Sequence, residues 1–242
     1  MFFRFRILAA GVALVAAGHL YGQLGAEIVA QHAARAGERL AGLHGLRMEG
    51  RTFIAGEVVP FIIWAERPNR LRVESFTPRR RVIQGYDGAG EPWIAHTDSD
   101  GGAPRDMPAA DARDFRGEAE FDGPLLSQVR RGGSVDYAGE ELVQGRRAQK
   151  LLLMGRDDEI SFYWVDMESR EIVKRLVYRT HGDRRVAIET CYRDFRPVAG
   201  VLQPHRVETT ADGQLLYAMV VDRMEANPEI PSGMFARATA KR

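Results

Sequence analysis

The chain has 242 residues and a single cysteine, Cys191, which excludes an internal disulfide. The position of Cys191, far from the N-terminus, also excludes lipid attachment at a cysteine beside an export-signal cleavage site. No charge of one sign dominates: 34 Lys and Arg stand against 33 Asp and Glu. Nucleic acid is therefore not the expected partner. Long hydrophobic runs are missing too. The most apolar stretch, Ile7 to Ala17, has about 11 residues where a membrane span needs about 20. Catalytic signatures are equally scarce, with no Gly-x-Ser-x-Gly elbow, no His-Glu-x-x-His and no phosphate-binding loop. Gly85 to Gly90 is a glycine-rich hairpin followed by a strand pattern, where a nucleotide loop would need a helix. His32, His44, His96, His181 and His205 lack ligand spacing, and Asp98, Asp100, Asp106 and Asp111 resemble a calcium loop only in composition. No enzyme, metal or cofactor is expected.

What is present begins with an export-like N-terminus: Arg4 and Arg6, the apolar run, then small residues. This pattern reads as a secretory signal over residues 1–26, with cleavage between Gly18 and Ala26 and an uncleaved anchor as the alternative. Its loss would remove two arginines, leaving 32 basic and 33 acidic residues on a soluble periplasmic protein. Residues 27–242 are expected to form one domain, because no linker or repeat divides them.

Glu27 to Leu43 has helical apolar spacing at Ile28, Val29, Ala33, Ala36, Leu40 and Leu43, and Gly42 and Gly45 close it. From Leu46 the pattern turns to short β-rich runs. Strands are expected over Leu46–Ala55, Glu57–Glu66, Arg70–Phe76, Arg81–Tyr86, Trp93–Thr97, Val135–Tyr137, Arg146–Met154, Ile160–Asp166, Ile172–Arg179, Arg185–Phe195, Gly200–Thr209 and Gln214–Met224. Turn signals separate them, among them Asp87-Gly88, Gly155 to Asp158, Gly182-Asp183 and Asp212-Gly213. Asp98 to Asp111 reads as a polar loop and Gly123 to Arg131 as a short helix. The basic group Arg79, Arg80, Arg81 is either a solvated turn or a docking patch for acidic groups. Several strands are apolar on both faces: Phe61, Ile63 and Ala65 oppose Ile62 and Trp64, and Phe162 and Trp164 oppose Tyr163 and Val165. A sheet with one wet face alternates, so these strands need two covers, either in an ordinary packed core or around a ligand cavity.

Trp64, Arg67, Pro68 and Asn69, followed by a strand, a Thr77-Pro78 turn, a second strand, Asp87-Gly88 and Trp93, resemble the Trp-x-x-Arg-Pro-Asn block of outer-membrane lipoprotein-sorting proteins, the LolA-like superfamily. Later segments, including Thr190 to Phe195 and Asn227 to Phe235, are similar in a looser way. The resemblance implies a mainly β fold, an incomplete antiparallel β-barrel formed by a strongly curved sheet, with an N-terminal helix and a short helical lid over the open side. It implies a periplasmic carrier of lipoprotein acyl chains or another lipid, acting as a monomer between an inner-membrane donor and an outer-membrane acceptor. A sensor or regulatory binding module on the same fold is the alternative. Arg67 is then expected to latch the lid; the other reading is an exposed strand-end residue before Pro68. Trp64, Phe76, Trp93, Phe162 and Trp164 are the candidates for the hydrophobic lining.

Overall fold

A computed structural model describes residues 7–77, 80–97, 102–155, 159–181 and 183–237. The basic start at Arg4 and Arg6, Pro78 and Arg79, Asp98 and Asp100, most of the turn after Gly155, and Gly182 lie outside the described residues. The elements run α1 (Ile7–Ala34), α2 (Glu38–Ala41), β1 (Gly45–Ile54), β2 (Glu57–Glu66), β3 (Arg70–Phe76), β4 (Arg81–Tyr86), β5 (Trp93–Thr97), β6 (Arg105–Asp106), α3 (Ala109–Ala119), α4 (Pro124–Arg130), β7 (Ser134–Val143), β8 (Arg146–Met154), β9 (Ile160–Asp166), β10 (Ile172–His181), β11 (Arg184–Val198), β12 (Val201–Ala211) and β13 (Gln214–Ala226). The strands form one antiparallel sheet in the order β6-β5-β4-β3-β2-β1-β13-β12-β11-β10-β9-β8-β7, which is not closed into a barrel. Positive φ at Ala55 and Gly56, and again at Asp212 and Gly213, gives two-residue turns whose twist suits hairpins.

Three expectations are corrected. The helix expected over Glu27 to Leu43 is two helices, because Gly37 takes φ 54 and ψ −139, outside the helical region, and breaks the hydrogen-bond ladder between α1 and α2. The stretch read as a loop to Asp111 contains β6 and the start of α3. The strand at Val135 to Tyr137 extends to Val143, its polar half paired with β8 through Glu140↔Gln149 to Val143↔Arg146.

The chain divides into two compact units, residues 1–35 with 128–189 and residues 36–127 with 190–242. In the first, α1 packs on β7 so closely that a Cβ on Gly25 would stand 2.7 Å from the Val135 carbonyl oxygen. Ile28, Val29 and His32 follow Gly25 at helical spacing and are buried. Leu151, Leu153, Tyr163 and Val165 are also buried in this unit, and Leu151 pairs with Tyr163 across β8 and β9. A polar node fixes the end of α1: His32 Nδ1 lies 2.7 Å from the Arg170 carbonyl oxygen, and Arg35 Nε donates to Glu171 at 2.7 Å. The turn from β9 to β10 is fixed by Asp166, which accepts from the Ser169 amide and hydroxyl and from both Nε and Nη2 of Arg146. Burial raises the affinity of this carboxyl for a proton, but those hydrogen bonds and the Arg146 charge outweigh it, so its pKa is lowered.

In the second unit, period-2 alternation separates two apolar surfaces. Phe61, Ile63, Leu71, Tyr86 and Val221 cluster with Met107 and with Ala112, Phe115 and Ala119 of α3, and Met48, Ala65, Val73, Ile94, Met219 and Met224 pack around them. The opposite face of β4 and β5 holds Ile83, Trp93 and Ala95. Residues 234–237 reach that face: Arg72 Nη1 donates to the Met234 carbonyl, Trp93 Nε1 to the Phe235 carbonyl, and Phe235 is buried. Over β3 to β5 the two faces are thus covered by α3 and by the C-terminal segment.

Candidate functional site

Arg67 follows β2, and its guanidinium makes directed contacts with two separate segments. Nε donates to the Leu43 carbonyl at 2.7 Å and Nη2 to the Leu40 carbonyl at 3.0 Å, both at the C-terminal side of α2. The Leu40 carbonyl also accepts from the Leu43 amide at 3.3 Å, and the forked cation engages both carbonyls at once. Nη1 is 2.6 Å from Asp122 Oδ1, and the guanidinium carbon lies 4.7 Å from the centroid of Phe121. Phe121 and Asp122 connect α3 to α4. Backbone bonds reinforce the junction, Arg67 N to His44 O and Phe121 N to Pro68 O. One side chain therefore joins the α2–β1 connection, the α3–α4 connection and the end of β2. Phe121 in turn packs against Leu43, Leu46 and Val201, together with Leu40 and Met224.

The helix secured at this junction, α3, places Ala112, Phe115 and Ala119 on one side at i, i+3 and i+7. They meet a sheet face whose members follow from the register: Met48↔Ile63↔Val73, with Ala65↔Leu71↔Tyr86 in the next row. This face carries Met219 and Met224 from β13, and Met107 enters from the segment before α3. Methionine is unbranched and polarizable, so a surface rich in it adapts to different apolar shapes.

The aromatic candidates fall elsewhere. Trp64 pairs with Arg72, Phe76 with Arg81, and Gly85 with Trp93, which sets Trp64, Phe76 and Trp93 on the sheet face away from α3. Each has an arginine over its ring: Arg47 over Trp64 at 5.1 Å, Arg81 over Phe76 at 5.4 Å and Arg72 over Trp93 at 5.8 Å. The Trp93 indole lies flat on Gly85, where a Cβ would approach within 2.4 Å. Phe162 and Trp164 belong to the first unit and are likewise covered by cations, with Lys150 Nζ 5.2 Å and 5.0 Å from their rings and Lys174 Nζ 4.6 Å from Trp164. Trp164 Nε1 donates to Glu141 at 2.8 Å. Opposite-charge partners at Glu141 and Glu189 hold the two lysines there. The residues of the α3 face, Phe61, Ile63, Phe115 and the four methionines, differ from the five aromatic candidates that the sequence offers. Their signal was parity: once Trp64 is assigned to one face, Ile63 and Ala65 take the other.

No family model matches the chain and no curated protein matches its sequence. Solved structures do. The chain superposes on a DUF1329 family protein from Desulfovibrio piger with a TM-score of 0.63 at 10% identity, covering 89% of this chain and 97% of that one. An outer membrane lipoprotein-sorting protein domain from Vibrio parahaemolyticus gives 0.60 at 10% identity, with 89% and 97% covered. A LolA superfamily protein from Nitrosomonas europaea gives 0.58 at 13% identity, with 87% and 96% covered. The fold is LolA-like. Identities this low establish the architecture of a LolA-like chain and leave its ligand to be argued from its own residues. Among the described residues no helix is long and apolar enough to cross a membrane, and no cluster of His, Cys, Asp and Glu has metal-binding geometry.

Proposed function

We propose that this LolA-like protein is an exported carrier that takes a long acyl chain between α3 and the facing sheet strands, with Arg67 holding that cover shut until cargo enters. The observation that carries the reading is the Arg67 junction itself: a cation whose hydrogen bonds and ion pair end on the two helical connections flanking an apolar, methionine-rich sheet face. Each methylene removed from water contributes about 0.8 kcal/mol, so an extended apolar surface supplies affinity without a strict motif. Opening the cover would cost the Arg67 hydrogen bonds, and bound acyl chain would offset that cost. Lipoprotein sorting is named for one structural relative. Delivery toward the outer membrane is the corresponding proposal for this chain, with lipoprotein acyl chains or a lipid as cargo.

The test is lipid extraction and native mass spectrometry of protein purified from the periplasm, with Arg67→Leu as the variant. Expected results are co-purified acyl lipid in the parent and at least severalfold faster exchange of a fluorescent acyl probe in the variant. Absence of lipid together with absence of probe binding would end the carrier reading. A stable protein partner in its place would favour the regulatory module. Unchanged exchange in Arg67→Leu would remove Arg67 from the mechanism.

A further inference from the structure

The α3-facing surface is not uniformly apolar. Following the register outward from Phe61, the next positions are Ser75, Val82 and His96, and the neighbouring row carries Gln84 opposite Ile94. Ser75, Gln84 and His96 therefore share one face with Ile94 and Tyr86, and all three are half-buried. His96 Nδ1 is shielded from solvent and has no hydrogen-bond partner. A buried polar atom without a partner is unfavourable and native proteins retain few of them, so a ligand group that bonded this nitrogen would gain a hydrogen bond the chain itself does not supply.

We infer that Ser75, Gln84 and His96 form the head-group end of the acyl site, and that the cargo it selects is a single-chain amphiphile with a carboxylate head, a long-chain fatty acid. The inference rests on the carrier reading and specifies its ligand. Each of the three side chains offers a donor: the Ser75 hydroxyl, the Gln84 amide, and His96 when Nδ1 bears the proton. A carboxylate only accepts, through two oxygens. No acidic or cationic side chain occurs on this face of β3, β4 and β5 among Leu71, Val73, Ser75, Val82, Gln84, Tyr86, Ile94 and His96. Partial exposure suits a head at the margin of the site, with the chain running inward over Phe61, Met48 and Met219. A wholly apolar tail needs none of these donors.

Competition of palmitate and methyl palmitate against a fluorescent acyl probe tests this on the full-length protein. The ester keeps the chain and removes the charge. Palmitate should compete at least about tenfold better than its ester, the difference expected of charge-assisted hydrogen bonds. His96→Phe, which fills a similar volume, should bring that ratio toward one, and Gln84→Leu should lower it, with thermal unfolding confirming that both variants fold. Equal competition by acid and ester in the parent overturns the carboxylate inference and leaves the carrier standing. Probe binding that neither palmitate nor its ester displaces also overturns the carboxylate inference, whereas absence of probe binding removes the carrier and the inference together. A ratio unmoved by His96→Phe overturns the role of His96.

Discussion

Acid should loosen the anchoring of α1 through one buried imidazole. His32 is 2% exposed and bonded to the Arg170 carbonyl, so protonation would place a cation in an unsolvated site already beside Arg35. Burial and the Arg35 charge, opposed by the Arg170 hydrogen bond, lower its pKa from 6.5 to about 4. The unfolded chain thus takes up the proton first as pH falls. Stability associated with neutral His32 is fully present above pH 6.5, declines between 6.5 and about 4, and is constant below. Over that window the loss is about 3 kcal/mol. Glu171 acts in the opposite sense: burial raises its pKa against the pull of Arg35, so its contribution favours the folded state as pH falls. His32→Asn keeps a donor for the Arg170 carbonyl, removes the titration and leaves Glu171 in place. Urea unfolding of both proteins at pH 7.5, 6, 5 and 4 isolates the effect. The parent midpoint should fall by about 1 M more than that of the variant. Parallel profiles would refute the assignment.

Other positions make sharper steric or electrostatic demands. Gly50→Ala would put a Cβ 2.1 Å from the Val220 carbonyl oxygen at the β1–β13 bulge, and a loss of at least about 2 kcal/mol is expected in denaturant unfolding. Gly25→Ala should cost about 1–3 kcal/mol by lifting α1 from β7, read as the same measurement and as faster amide exchange in α1; protection equal to the parent would contradict the packing. Asp122→Asn keeps the Arg67 bonds to Leu40 and Leu43 but removes the ion pair, so acyl exchange should accelerate less than in Arg67→Leu. An equal or larger acceleration would move the centre of the latch to Asp122.

Much of this fold is legible because hairpins announce themselves locally. Glu57–Glu66, Arg70–Phe76 and Ile160–Asp166 alternate or carry β-branched and aromatic residues between turn residues, and the structure places strands over those same spans. Helix α3 is nearly silent, because its buried side holds two alanines and one phenylalanine in a charged background, too faint for a helical stripe. Ser134 to Val143 is polar along much of its length, and it is a strand because β8 supplies a partner. The sequence shows that some strands are apolar on both faces, but which face lies under a helix depends on α3 and on residues 234–237, which make long-range contacts. Arg67 is conspicuous in the sequence beside Pro68, whereas its partners at Leu40, Leu43, Phe121 and Asp122 are distant along the chain.

The four methionines around α3 carry a consequence of their own. Thioethers are prone to oxidation, and each sulfoxide would turn a yielding apolar contact into a fixed dipole in or beside the cluster that holds Phe61 and Phe115. Brief peroxide exposure should therefore blunt acyl uptake at doses that leave the sheet intact, and reductase treatment should restore it. Such a carrier would register oxidant stress in its surroundings through the chemistry of its own lining.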